Sequence, residues 1–211
     1  METPLLSSLQ AANLLPSTLI PQDFTPTIHL DVQFPFKPVA NGALVRVRDV
    51  QVQPTISLSL SCQNATIPLL QTQSDSQHFT LMLLDPDAPT PDDPKFAYWR
   101  HWVVVNIPAT TVGNEGEEGG GKGDVVGTGK TLTRYLAPGP KDESGPHRYL
   151  FLLFRQPEGG LAVEKGDVGG EEFVERRSFG AVEFVRRWGL KLVGVQWMRG
   201  VGDGWEGAWE E

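Results

Sequence analysis

Two short polar segments carry the side chains that could do chemistry, and each adjoins an apolar run. Residues 85–89 read Asp-Pro-Asp-Ala-Pro and directly follow the apolar run 79–84. Residues 145–149 read Gly-Pro-His-Arg-Tyr and lead into the apolar run 149–154, while His101 directly precedes a third apolar run, 102–107. Carboxylates, imidazoles and a phenol can hold an anion or an ammonium group, and an imidazole can also transfer protons. The prolines restrict the backbone, which presets the directions of neighbouring side chains.

The elements that must position these segments are predicted to be β-strands. Apolar and polar residues alternate through residues 28–34 and 55–62, which predicts strands with one solvated face. Runs 79–84, 102–107 and 149–154 are apolar throughout, which is typical of strands covered on both faces. We therefore expect these three runs to form the centre of a β-sandwich.

Two helices and a last strand complete the predicted elements. Thr3 and Pro4 have the residue types of a helix cap and a first helical position, which predicts a short N-terminal helix. Ser178 is predicted to cap a second helix near residues 178–188. Its apolar face has helical spacing and comprises Ala181, Phe184, Val185 and Trp188. Residues 192–198 predict a further strand.

Two glycine-rich stretches interrupt this pattern. Residues 113–130 and 157–172 combine Gly with charged residues and contain few bulky apolar side chains, so they are predicted to be flexible loop insertions. Neither stretch contains a phosphate loop or a dinucleotide-binding fingerprint. The remaining elements suffice for one core, so residues 1–211 are predicted to form a single domain.

The charge of the chain excludes some classes of partner. A formal net charge of -8 and a pI of about 5.0 oppose attraction to nucleic acid or to anionic lipid. Local donors in a pocket must therefore hold any anion that the protein binds. No segment has the roughly 20 apolar residues that would cross a bilayer, so at most peripheral membrane contact is expected.

Cysteine usage and the first residues indicate the compartment. The single cysteine, Cys62, cannot form an internal disulfide, and it is expected to be a buried structural thiol. The first residues lack the basic charge of a secretory signal or a mitochondrial leader. These features predict a cytoplasmic protein in a reducing environment.

Structural roles remain open for each candidate residue. Asp85 and Asp87 each stand next to proline, where an aspartate commonly closes a turn. His101 and His147 could be a structural and a surface histidine respectively. No His or Cys spacing typical of zinc is present, and no Gly-x-Ser-x-Gly motif of a serine hydrolase, so neither a metal nor a cofactor is expected.

Five features of the sequence, taken in order, resemble the phosphatidylethanolamine-binding protein family. They are the Asp-Pro-Asp-Ala-Pro segment, Trp99, His101, the Gly139-Pro140 pair and the His-Arg-Tyr segment. The likeness is greatest to its fungal carboxypeptidase Y inhibitor-like branch. The resemblance implies a mainly β fold, an antiparallel β-sandwich with a small ligand-binding pocket. That pocket would be lined by Asp85, Asp87, Pro89, Trp99, His101, Gly139, Pro140, His147 and Tyr149.

The resemblance also implies a function. The expected ligand is a phospholipid headgroup or a phosphorylated small molecule, and the expected role is binding and regulation rather than catalysis. A serine carboxypeptidase or a signalling protein is the expected protein partner. In the first case the N-terminal helix around Leu5, Leu6 and Leu9 is expected to dock on the enzyme. Because two ionised aspartates would repel an anion, one of them is expected to be hydrogen-bonded elsewhere or to share a proton.

An alternative keeps the pocket but makes it catalytic. Some fungal members of the family belong to specialised-metabolite pathways and are implicated in maleic-anhydride coupling. In such a condensation His101 or His147 would act as the base, with an aspartate as its support.

Two residues depart from the pattern of the family. Phe96 lacks a hydroxyl, and Lys141 adds a charge that would matter if its side chain pointed into the pocket.

Overall fold

The computed structural model describes residues 3–61, 76–113 and 123–207. Cys62 and its expected structural role lie outside these residues. The helices are α1 (Pro4–Ala11) and α2 (Ala181–Arg187). The strands are β1 (Ile28–Phe34), β2 (Lys37–Val39), β3 (Ala43–Arg46), β4 (Thr55–Leu60), β5 (His78–Asp85), β6 (Trp99–Pro108), β7 (Lys130–Thr133), β8 (His147–Arg155) and β9 (Lys191–Val201). In the described parts of the chain, no helix is long and apolar enough to cross a membrane.

Two sheets form the sandwich. The larger sheet has the order β3-β9-β8-β5-β6-β7, and the smaller has the order β2-β1-β4. The predicted mainly β sandwich is confirmed. One strand pair departs from the antiparallel pattern, because the edge strand β3 runs parallel to β9, with Ala43 opposite Met198. The larger sheet is therefore mixed.

The two faces of the larger sheet explain why its central strands are apolar throughout. One face packs on the smaller sheet and forms an inter-sheet core with members such as Leu83, Trp102 and Tyr149. The other face forms an outer core, which includes Leu9 of α1 and Phe184 of α2. Strands β5, β6 and β8 are therefore covered on both sides, as their composition predicts. Strand β1 instead alternates buried and more exposed positions.

The N-terminal helix begins as its sequence predicts, whereas the second helix does not. Thr3 caps α1, since its side-chain oxygen accepts a hydrogen bond from the backbone N–H of Leu6 at 3.2 Å. The prediction that Ser178 caps the second helix is wrong. Its N–H donates to the carbonyl of Phe96 at 3.0 Å, so the backbone there lies along a neighbouring segment, and α2 begins only after Gly180.

The glycine-rich stretches include side chains that bury in the core. In 157–172, Leu161, Val163 and Val168 belong to the outer core, and the flexibility of this stretch stays a prediction. In 113–130, Val125 and Val126 belong to the inter-sheet core, and residues 114–122 lie outside the described residues. A few well-spaced apolar residues are therefore enough to attach these stretches to the domain. The high glycine content of the sequence makes these attachment points hard to recognise.

Candidate functional site

The ends of three central strands meet at one edge of the larger sheet. Strand β5 lies between β6 and β8 and is antiparallel to both, so the last residue of β5 lies beside the first residues of its neighbours. Asp85 is paired with Trp99 in this register. The two polar segments that the sequence singles out are thus brought together by strand pairing.

A buried histidine and aspartate form the centre of the site. Nδ1 of His147 lies 2.9 Å from Oδ2 of Asp85, and both side chains are 4% exposed. The other oxygen of Asp85 accepts the backbone N–H of Asp87 at 2.6 Å. Because a carboxylate accepts, Nδ1 of His147 is the nitrogen that bears the proton. Its Nε2 is buried and has no hydrogen-bond partner among the described residues.

Three aromatic rings pack around this pair. The ring of Tyr149 stacks on His147 with centroids 6.2 Å apart, and it meets the edge of His101 at 5.3 Å. Trp99 lies beside His101 at 6.5 Å. Nδ1 of His101 donates to the carbonyl of Leu136 at 2.8 Å. This bond leaves Nε2 of His101 as the ring nitrogen available to other groups.

Burial controls the charge of these rings. Loss of solvation lowers the pKa of His101, with a smaller opposing effect from Asp85. Burial also raises the pKa of Tyr149 well above its usual value, and the charges of Asp85 and Asp87 add to this effect. At neutral pH the site therefore holds a neutral His101 and an un-ionised Tyr149 phenol, which can act as a hydrogen-bond donor.

A β-bulge aims His101 into this cluster. Leu83 is paired with Trp102, whereas the next residue, Leu84, is paired with Arg100, so His101 is the extra residue of strand β6. Without the bulge, Arg100 and Trp102 would share a face of the sheet. Instead Trp102 lies in the inter-sheet core, while Arg100 lies over the ring of Phe179 in the outer core.

The second aspartate is engaged by an arginine. Asp87 is 1% exposed, and it accepts hydrogen bonds from the backbone N–H and the guanidinium of Arg148, the shortest at 2.6 Å. These bonds raise the pKa of Arg148. One of the two carboxylates is expected to be hydrogen-bonded elsewhere or to share a proton, and both are hydrogen-bonded within the protein, Asp87 to Arg148 and Asp85 to His147. A bound anion would therefore face only one aspartate without a cationic partner, Asp85.

The remaining residues of the predicted pocket are less closely tied to this cluster. Pro89 is half-buried, Gly139 is exposed and Pro140 is buried. Their place in a pocket stays a prediction. Lys141 points outward, since its side chain is 80% exposed and its Nζ lies 3.7 Å from Glu143. It does not add positive charge to the site.

The sequence did not indicate two further residues that shape the site. The carbonyl of Leu136 fixes the ring of His101. Gly200 of β9 lies opposite His147, and a methyl group there would come within 2.6 Å of the Tyr149 ring. Both contacts join residues far apart in the chain, and neither residue type carries a local signal. Only the folded chain reveals them.

The fold agrees with the result of the family comparison. The family model "Phosphatidylethanolamine-binding protein" matches residues 25–186, so the chain belongs to this family. Relatives include "Protein MOTHER of FT and TFL1 homolog 2" of Oryza sativa subsp. japonica, which is 30% identical over 63% of this chain and 60% of its own length. "Protein TERMINAL FLOWER 1" of Arabidopsis thaliana is 31% identical over 64% and 61%. The chain thus spans about 60% of the length of these curated relatives.

Solved structures show the same fold. A carboxypeptidase Y inhibitor, in complex with its cognate proteinase, superposes with a TM-score of 0.70 at 24% identity over 93% of this chain and 94% of that one. A phosphatidylethanolamine-binding protein from Plasmodium vivax gives a TM-score of 0.67 at 20% identity over 93% and 97%. At these identities the likeness concerns the fold.

Proposed function

We propose that this protein is a non-catalytic binding and regulatory protein whose site holds a phosphate-bearing group. The group would come from a phospholipid headgroup or from a phosphorylated small molecule. One observation carries the proposal: Nε2 of His147 is buried beside Tyr149 and has no hydrogen-bond partner among the described residues. A buried polar atom of this kind is stabilised when a ligand supplies its partner.

The charge of the chain is compatible with this role. At a net charge of -8, long-range attraction cannot concentrate a phosphate near the protein. Binding must then come from short-range hydrogen bonds. Because Nδ1 of each imidazole already donates within the protein, Nε2 of His101 and Nε2 of His147 can accept from a P–OH or ammonium group of the ligand, and the neutral Tyr149 phenol can donate. Asp85 accepts hydrogen bonds from His147 and from the backbone N–H of Asp87, which leaves its carboxylate less able to repel an anion.

The test is a calorimetric titration with inorganic phosphate and with glycerophosphoethanolamine. His147→Asn keeps a donor near the position of Nδ1 and removes Nε2, and we expect it to weaken phosphate binding by about tenfold. His29→Asn, at an exposed position of β1, is the matched control. Equal affinity of the wild type and His147→Asn would refute the proposal. Tighter binding of glycerophosphoethanolamine than of phosphate would favour the headgroup as the source.

The proposal extends to inhibition of a serine carboxypeptidase or modulation of a signalling protein. The structural likeness to a carboxypeptidase Y inhibitor supports the first of these partners. The expectation that the apolar face of α1 docks on the enzyme needs correction, because Leu9 is fully buried and Leu5 and Leu6 pack on the outer core. Only the opposite face of α1, which includes Ser7 and Gln10, is exposed to a partner.

This arrangement decides how inhibition should be tested. Removing residues 1–16 would expose the outer core and take away the Ala12 carbonyl that accepts a bond from Arg148 at 2.8 Å. Carboxypeptidase Y should therefore be titrated with the full chain and with a Ser7→Arg, Gln10→Arg variant. We expect inhibition by the full chain and weaker inhibition by the variant. Absence of inhibition by the full chain would remove this part of the proposal and leave phosphate binding untouched.

The catalytic alternative is supported by one feature, the hydrogen bond from His147 to Asp85. Such a pair can hold a proton at Nδ1 and leave Nε2 free to remove one from a substrate. Turnover of a maleic-anhydride precursor by the wild type, lost in His147→Asn, would favour this function over simple binding.

A further inference from the structure

A cavity lies on the face of the larger sheet that carries the outer core. Its volume is about 370 Å³, within the usual range for small-molecule sites. Its walls come from 167–169, from 175–180 and from α2, and they include Phe179 and Phe184 of the outer core. The bulge at His101 separates this cavity from the histidine cluster, because it turns Arg100 to the outer face.

Arg100 brings a buried positive charge to the wall of this cavity. The residue is 1% exposed, and its guanidinium donates to Thr133 Oγ1 at 2.8 Å and to the carbonyls of Val168 and Gly170. A guanidinium has five N–H groups, so one remains on each terminal nitrogen. In the described parts of the chain, these partners are uncharged and Arg100 forms no ion pair with a carboxylate.

Two neighbouring arginines strengthen the positive field. Nε of Arg177, which also lines the cavity, is buried and has no hydrogen-bond partner among the described residues. Its guanidinium lies 4.4 Å from the ring centroid of Phe96. Arg176 is buried and donates to backbone carbonyls, including that of His101 at 3.1 Å. Burial and the charge of Arg176 lower the pKa of Arg100 to about 10, so Arg100 remains a cation at neutral pH.

The acidic residues of the cavity limit the charge that it can accept. Asp167 is paired with Arg187 at 3.2 Å, and Glu183 is paired with Arg186 at 2.6 Å. Glu175 also lines the cavity, and its carboxylate accepts the backbone N–H of Glu172. These charges would repel a polyanion more strongly than a single negative charge. The apolar rings of the wall suit a ligand with an apolar body.

We propose that this cavity binds a small monoanionic carboxylate with an apolar body. The carboxylate accepts hydrogen bonds from Arg100 and Arg177, since planar guanidinium groups match carboxylate geometry well. The apolar body lies against Phe179 and Phe184. The two sites use different polar side chains, and they share one neighbour, because the guanidinium of Arg177 also lies 5.6 Å from the ring of Trp99, which packs beside His101. The test therefore includes a variant of each site.

Calorimetric titration with phenylacetate tests the proposal, with benzyl alcohol as the uncharged probe and phenyl phosphate as the dianionic one. We expect millimolar or tighter binding of phenylacetate, with weaker binding of both other probes. Arg177→Gln should weaken phenylacetate binding by about tenfold, the effect of losing a charge-assisted bond. Arg48→Gln, at an exposed arginine, is the matched control, and melting curves show whether each variant folds.

Three results would overturn the proposal. The first is no binding of phenylacetate by the folded wild type at millimolar concentration. The second is equal binding by the wild type and Arg177→Gln. The third is loss of binding in His147→Asn with retention in Arg177→Gln, which would place the ligand in the histidine cluster. Retained phenylacetate binding in His147→Asn is the expected result, and it separates this proposal from the fate of the phosphate site.

Discussion

The side chains of His147 and Asp85 join the first residue of β8 to the last residue of β5 through a bond of 2.9 Å between Nδ1 and Oδ2. Both residues are buried, so the bond fixes the imidazole ring and places its proton on Nδ1. The same carboxylate accepts the N–H of Asp87. Asp85 therefore holds both the backbone turn at Asp87 and the ring of His147 in place.

Replacement of Asp85 should destabilise the fold. Asp85→Ala leaves the Nδ1 proton of His147 and the N–H of Asp87 buried without their acceptor. Unpaired buried donors of this kind cost about 1–3 kcal/mol each, and we expect a loss of about 3 kcal/mol in the free energy of unfolding. Urea denaturation measures this loss. The exposed Asp92→Ala should change the same quantity by less than about 0.5 kcal/mol, and an equal effect of the two variants would contradict the argument.

The ion pair of Asp87 and Arg148 predicts a second loss. Arg148→Met leaves the carboxylate of Asp87 buried without its cationic partner. Removing one partner of a buried ion pair costs about 3–5 kcal/mol. Because Arg148 is partly exposed, we expect a loss of about 3 kcal/mol in the free energy of unfolding. Arg186→Met removes an exposed pair with Glu183 and should cost about 0.5 kcal/mol or less. A ratio near one between the two losses, measured by urea denaturation, would show that the buried charge is not the cause.

Much of the fold could be predicted from the sequence, because hydrophobic patterning reports burial directly. Alternation in residues 28–34 matches the bounds of β1, and the apolar run 149–154 lies within β8. The short strands β2, β3 and β7 carry too few residues for a period to emerge. Ser178 shows another limit, since pairing with a distant segment overrides a local capping signal.

The site could be predicted in its residue types and not in its geometry. The motif around Asp85 and the one around His147 were visible, but their pairing depends on β5 and β8 being neighbours. The bulge at His101 depends on a register shift against β5 and leaves no mark in the local sequence. Arg100 could not be predicted to line a cavity, because alternation in the sequence cannot show that its side chain faces one.

Gly200 offers a test of how closely the Tyr149 ring is held. A methyl group at Gly200 would lie 2.6 Å from Cε2 of Tyr149, so Gly200→Ala must displace the ring. We expect a loss of about 1–3 kcal/mol in the free energy of unfolding, as for other overpacked sites, together with weaker phosphate binding. Gly166→Ala is the matched control, because a methyl group there would meet no atom within 4 Å. Unchanged phosphate affinity in a folded Gly200→Ala protein would show that the ring position does not matter for the ligand.

His101 predicts a pH dependence whose sign follows from its burial. Burial lowers the pKa of His101 in the folded protein, whereas an unfolded histidine titrates near pH 6.5. Below about pH 6.5 the unfolded chain therefore binds a proton at residue 101 that the folded protein does not. The contribution of His101 to the free energy of unfolding is full above this pH, and it falls as the pH decreases towards the pKa of the folded protein. The slope for one proton is at most about 1.4 kcal/mol per pH unit.

The measurement is urea denaturation of the wild type and His101→Asn between about pH 5 and pH 8. Asparagine keeps a donor for the carbonyl of Leu136 and cannot titrate, so the difference between the two proteins isolates His101 from the carboxylates. His29→Asn, at an exposed position of β1, is the control, and its slope of unfolding free energy against pH should equal that of the wild type. Sulfate stays dianionic across this range. A bound anion stabilises the protonated ring and so raises the pKa of His101 that burial has lowered. Saturating sulfate should therefore flatten the wild-type slope. Identical slopes for the wild type and His101→Asn would show that this imidazole does not titrate in the window, and anion binding would then have to rely on neutral donors alone.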